Sequence, residues 1–124
     1  MAQSLNTNVE FASTAISYLS SISGNYGKIL MGDKAFEFFN DRNVEDYIQI
    51  PWEEVKYVEG QVFFGKLGRQ FIFQTTAGRF RFSSKEAGKV LKIAREHLGN
   101  DKVVKAPTFW ANVTRRFRKK QKKS

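Results

Sequence analysis

The 124-residue chain holds no cysteine and a single histidine, His97. Without cysteine there is no disulfide framework, no thiolate metal site and no cysteine nucleophile. One imidazole cannot build a histidine-rich metal centre, and it speaks against a triad-type hydrolase. No run approaches the roughly 20 apolar residues of a transmembrane helix. The stretch Met1–Phe11 has neither a basic start nor an apolar core, and the first base is Lys28, so no secretory signal is expected. These absences remove most hydrolytic and redox chemistry. They leave a non-enzymatic binding or scaffolding role in the cytoplasm, with no catalytic, cofactor-binding or metal-ligating residue to nominate.

Acids are missing from one region only. Residues 1–101 carry 12 Lys/Arg and all 12 acids, whereas residues 102–124 carry nine bases and no acid. The net charge of +9 therefore belongs to the final segment, and the body is neutral. Length and a hydrophobic content of 41% fit one domain with its own core. Three regions are expected: a flexible N-terminus at 1–8, a folded domain at 9–101 and a basic amphipathic tail at 102–124.

Within the body, period-2 patterns dominate. Val9–Tyr18, Tyr26–Met31, Ala35–Phe39 and Tyr47–Ile50 read as strands, with Phe36 and Phe38 sharing a face. Turns are expected around Gly24-Asn25, Gly32-Asp33 and Asn40–Asn43, where Asn and Asp bond their own backbone. Pro51 marks an edge or bent strand, which continues through Trp52–Glu59 with Val55 and Tyr57 on one side. Gln61–Phe64 and Arg69–Thr75 flank a Gly65–Gly68 loop, and Arg79–Phe82 alternates Arg outward with Phe inward. The period then becomes helical. Ser83 and Glu86 are spaced as a capping box. Ala87, Val90, Leu91, Ala94 and Leu98 share a face with Ile93 beside them, and Gly99 supplies the stop, giving a helix over Ser84–Leu98. About seven antiparallel strands and one amphipathic helix suit a small bent sheet or partly open barrel plugged at one end.

Lys102–Pro107 reads as a linker. Pro107 is compatible with a helix start. If the tail is helical, Phe109, Val113 and Phe117 recur at i, i+4 and i+8 with Trp110 beside them. Arg115, Arg116, Arg118, Lys119 and Lys120 fill the remaining surface. This narrow apolar ridge on a basic cylinder suits three roles: a solubilising end, an anchor facing lipid or a membrane protein, or a nucleic-acid arm. The interleaved aromatics favour the anchor, because binding to a phosphate backbone does not need them.

Other candidate chemistry is weaker. His97 sits one position off the core stripe, with no local carboxylate to orient it except Glu96, which faces elsewhere. Glu53 and Glu54 are adjacent and read as solvated rim charge. Neither glycine-bearing loop has phosphate-cradle spacing.

The stretches GDKAFEFFNDRN (Gly32–Asn43), IQIPWEEV (Ile48–Val55) and RFSSKEAGKVLKIARE (Arg81–Glu96) resemble a small family of uncharacterised domains found beside mannose-class phosphotransferase transporters in low-GC Gram-positive bacteria. It is sometimes called the mannose operon regulator family. AQSLNT (Ala2–Thr7) and TFW (Thr108–Trp110) fit the same pattern. The resemblance implies a pleckstrin-homology-like or GRAM-like architecture and a link to the permease's membrane subunits IIC and IID. The family carries no established catalytic residues to transfer. The expectation is an accessory protein held peripherally at the inner face of the cell membrane, with the tail residues as its contacts. A nucleic-acid-binding regulator of the operon is the alternative. Ser20–Gly27 contains no base, which argues against phosphoinositide binding at that loop.

Overall fold

The computed structural model describes residues 3–18, 24–43, 45–63 and 65–106. In chain order the elements are β1 (Val9–Ser17), β2 (Asn25–Gly32), β3 (Ala35–Asn40), β4 (Tyr47–Pro51), a 3-10 turn at Trp52–Glu54, β5 (Val55–Phe63), β6 (Lys66–Thr75), β7 (Gly78–Ser83), α1 (Ala87–Leu98), a second 3-10 turn at Asn100–Lys102 and β8 (Val103–Ala106). The eight strands form one mixed sheet in the order β4-β3-β2-β1-β7-β6-β5-β8. All pairings are antiparallel except β5 with β8, which is parallel. The class is the expected one: mainly β, a bent sheet and a single capping helix.

The bend follows from the pairing. β1 matches β2 along its length but meets β7 only through Ile16↔Ser83 and Ser17↔Phe82. Two antiparallel meanders therefore hinge at the end of β1. Phe36 of β3 stacks on Phe73 of β6 with ring centroids 4.2 Å apart, and packs edge-on against Phe82 at 5.0 Å. β3 and β6 are not neighbours in the sheet, so this contact requires one half to fold over the other. Phe36, Phe38, Phe71, Phe73 and Phe82 are essentially fully buried between them. Each fully buried Phe contributes about 1.5–3 kcal/mol, and these five of the 12 phenylalanines form the centre of the core. α1 closes one end with Ala87, Val90, Leu91, Ile93 and Ala94 turned inward.

Several boundaries differ from the sequence expectation, each for a local reason. α1 begins at Ala87, not at Ser84, because the capping box does not form. The Ser84 hydroxyl donates to the Thr14 carbonyl (2.9 Å) and accepts from the Glu86 N–H (3.2 Å), while the Glu86 carboxylate accepts from the Ser13 hydroxyl (2.8 Å). A register shift between Val55 and Tyr57 turns Tyr57 out and puts Val58 in the core. Glu53 and Glu54 lie in the 3-10 turn, both exposed. β6 starts at Lys66, so the expected Gly65–Gly68 loop shrinks to a tight turn in which Gly65 takes φ +79°. Pro51 does sit in an edge strand, β4.

Two further corrections concern the ends. Lys102–Pro107 is not simply a linker, because Val103–Ala106 pairs with Val58–Gln61 as an eighth strand. The N-terminal residues, expected to be flexible, are tied down from Ser4 to Asn8, as described below. The basic C-terminal helix expected over the tail lies outside the described residues.

Candidate functional site

The N-terminal segment is held by Glu37 of β3 and Asp33 of the β2–β3 turn, and its own Asn6 bonds back to the start of β3. Glu37 alternates onto the outer face of β3 yet is fully buried. Its Oε1 accepts from the Ser4 hydroxyl and from Asn6 Nδ2 (3.1 Å). Its Oε2 accepts from the Leu5 N–H and Gln49 Nε2, both at 2.8 Å. Asn6 in turn caps the start of β3: its Oδ1 accepts from Lys34 N (2.9 Å) and Ala35 N (2.8 Å), and its Nδ2 donates to the Ala35 carbonyl (3.1 Å). Asp33 accepts from the Thr7 hydroxyl and from the backbone of Thr7 and Asn8. The Thr7 hydroxyl, followed by the Asn8 N–H, holds the Asp33 carboxyl below its ordinary range. The AQSLNT and GDKAFEFF stretches are thus two halves of one structural latch.

His97, near the C-terminal end of α1, is oriented by a carboxylate after all, one supplied from a distant strand. Its Nε2 lies 2.8 Å from Glu10 Oε1 on β1, and its ring stacks on Trp52. Trp52 is anchored by Nε1–H donation to the Gly32 carbonyl at 2.8 Å. The cluster ties α1 to the first 3-10 turn and to β1, with one face of the imidazole on Trp52 and its Nε2 beside Glu10. Among the described residues no group of three or more His, Asp or Glu is placed to hold a metal.

The segment Lys85–Lys105, which holds α1 and β8, exposes six bases, Lys85, Lys89, Lys92, Arg95, Lys102 and Lys105, against three exposed acids, Glu86, Glu96 and Asp101. A groove of about 310 Å³ lies on this basic side between α1, the β5–β6 hairpin and β8. Its floor includes Gly60, Leu67, Gly88 and Leu91, and its rim Lys92, Arg95 and Lys105. Leu67 and Val104 remain 42% and 40% exposed there. Among the described residues none of the three rim bases has a carboxylate within ion-pair distance. A second cup, of about 340 Å³, contains Tyr18, Gln61, Arg79 and Arg81, but its cations are engaged: Arg81 lies over the Tyr18 ring at 4.8 Å and Arg79 is 3.8 Å from Glu59.

Ala106, the last described residue, ends β8 at this edge of the sheet. Every contact residue expected from the sequence (Phe109, Trp110, Val113, Arg115, Arg116, Phe117, Arg118, Lys119 and Lys120) lies outside the described residues. No helix among the described residues is long and apolar enough to cross a membrane.

The family profile described as "Domain of unknown function (DUF956)" matches residues 1–117. The chain belongs to this family. The DUF956 match spans the N-terminal latch, the whole sheet and α1, and runs on through Phe117. No curated protein matches. Among solved structures the chain is similar to the C-terminal domain of an unknown protein from Leishmania infantum. There the identity is 6% and the TM-score 0.61, over 73% of this chain and 84% of that one. It is also similar to the hSac2 domain from the human phosphoinositide phosphatase Sac2, with 13% identity and a TM-score of 0.51 over 82% and 77% of the two chains. At these identities the likeness is one of fold.

Proposed function

We propose that this protein is a non-enzymatic accessory subunit that binds membrane subunits IIC and IID of a mannose-class phosphotransferase transporter from the cytoplasmic side and modulates transport. One observation carries the reading: β8, which ends at Ala106, is the edge strand beside Lys92, Arg95 and Lys105, and the following residues 107–124 hold seven further bases and no acid. The cationic aromatic segment thus follows in sequence directly on the strand that carries Lys105 at this edge. Each base near an anionic leaflet contributes about 1 kcal/mol before the cost of ordering the segment. Phe109, Trp110, Val113 and Phe117 supply the apolar contacts, and Arg115, Arg116, Arg118, Lys119 and Lys120 the charged ones. The resemblance of the latch, IPW and helix stretches to the mannose-operon family supports the choice of transporter. The aromatics weigh against the alternative, a nucleic-acid arm, whose affinity would be set by phosphate contacts and salt.

The test is co-purification of tagged full-length protein with the permease in mild detergent. Recovery of a stable complex that is lost on deletion of Pro107–Ser124 is the expected result. Intact permease recovered alone would overturn the reading.

A further inference from the structure

We infer that the groove between α1 and β8 receives an acidic segment of the partner protein, seating an apolar side chain against Leu67 and Leu91 with its carboxylates on Lys92, Arg95 and Lys105. This rests on the proposal that the partner is the transporter's membrane assembly, and it names the chemistry by which the body recognises it.

Two independent observations carry the inference. The first is charge. Three exposed bases border a floor of Gly60, Leu67, Gly88 and Leu91, and among the described residues no carboxylate lies within ion-pair distance of them, although Glu96 and Asp101 are near in sequence. Three bases of one sign around a groove, none of them held in an ion pair, favour an anionic occupant. The second is Gly88. It sits in the first turn of α1, with its backbone outside the left-handed region, and a Cβ placed there would meet only the Leu67 Cδ2 at 3.5 Å, an ordinary contact. Nothing in the packing calls for glycine, although glycine weakens a helix relative to alanine. Its effect is to leave the groove open. Gly60 differs, because a Cβ there would collide with Leu91 Cδ1 at 2.5 Å, so that glycine is needed to seat the helix.

The geometry also discriminates between occupants. Bilayer binding uses protruding apolar side chains, whereas this surface recedes. The protein's own residues 107–124 carry only positive charge, and docking them here would place seven more bases beside the three on the rim. An acidic protein segment satisfies both the concavity and the charge.

The experiment measures binding of purified full-length chain to the permease reconstituted in nanodiscs. Three variants are compared: Gly88→Leu, the pair Lys92→Glu with Arg95→Glu, and a control pair with the same charge change on distant exposed positions, Lys28→Glu with Lys56→Glu. The groove variants are expected to weaken binding at least tenfold and the control less than twofold. Gly88→Leu is also expected to raise the melting temperature, so its loss of binding would not come from unfolding. A benzoylphenylalanine at Leu67 should crosslink to a carboxylate-rich stretch of the permease. If wild type binds and the groove variants bind equally well, the inference falls while the functional proposal stands. Crosslinks to residues 107–124, to lipid or to a non-acidic stretch also overturn it. If wild type fails to bind the permease, the functional proposal falls and takes this inference with it.

Discussion

The imidazole of His97 lies flat on the indole of Trp52, with ring centroids 4.7 Å apart and planes within 11°. Glu10 holds the same ring through Nε2. The arrangement fastens the end of α1 to an element far away in sequence. Stacked aromatic pairs contribute about 0.5–1.5 kcal/mol beyond area burial, and a partly exposed side-chain hydrogen bond adds about 0.5–1 kcal/mol. His97→Ala should therefore destabilise the fold by about 1–2 kcal/mol in urea unfolding. In a double-mutant cycle with Glu10→Ala, a coupling of about 0.5–1 kcal/mol is expected. Strictly additive single substitutions would show that the contact contributes nothing.

Glu37 yields a sharper prediction, because its partners are mainly donors. Ser4 Oγ, Leu5 N, Asn6 Nδ2 and Gln49 Nε2 all point at its two oxygens. A carboxylate matches that set, whereas an amide would turn its NH₂ group toward donors. Glu37→Gln, although isosteric, should thus cost about 1–3 kcal/mol. It should also release the N-terminus: amide exchange at Leu5, Thr7 and Asn8 should accelerate well before the β-sheet core is affected. Wild-type protection at those amides in the variant would rule out the latch.

Asp33 makes the same segment sensitive to acid, in a calculable direction. Its carboxyl is held below the ordinary range, first by the Thr7 hydroxyl and then by the Asn8 N–H. A group whose folded pKa is depressed contributes stability that is complete above the unfolded value, about 3.9 for Asp, and is lost as pH falls through the lower folded value. Attachment of Thr7 and Asn8 should accordingly persist at neutral and mildly acidic pH and fail only below the usual carboxylate range. NMR amide shifts of these two residues should report that transition, and Asp33→Asn should remove it.

Much of the sheet and helix was readable in the residues, because both are amphipathic over several periods. Phe36 and Phe38, Phe71 and Phe73, and the stripe from Ala87 to Leu98 each declared an inward face. Features set by distant partners were not readable. Glu37 looks like a solvent-facing residue in an alternating strand, and only the return of residues 4–6 buries it. Val103-Val104 has β-branched character, but a parallel strand pairing with β5 leaves no hairpin turn to announce it. The capping-box spacing at Ser83–Glu86 goes unused because the Glu86 carboxylate accepts from Ser13 of β1, while the neighbouring Ser84 hydroxyl donates to the Thr14 carbonyl. The tail was legible as charge and aromatic pattern only, and the groove, assembled from β5, β6, α1 and β8, has no local motif at all.

The eighth strand separates two truncations that composition alone would treat as equivalent. Removing residues 107–124 leaves every described strand and α1 in place, so the melting temperature should change by no more than about 2 °C, the effect of a few tenths of a kcal/mol. Removing residues 103–124 also strips β8 from β5, unpairs Val58–Gln61 along one edge and uncovers the core side of Val103. Losing several ladder hydrogen bonds and a half-buried valine should cost about 2–4 kcal/mol, read as a fall in both melting temperature and urea midpoint. Binding to vesicles containing anionic phosphatidylglycerol should divide differently. The shorter deletion should already abolish most of it, because seven of the bases and the aromatic ridge go with residues 107–124. If the shorter truncation also unfolds the domain, those residues are part of its core and the anchor reading of the tail fails. If it stays folded and still binds the vesicles, the basic edge of α1 and β8 is sufficient for membrane attachment.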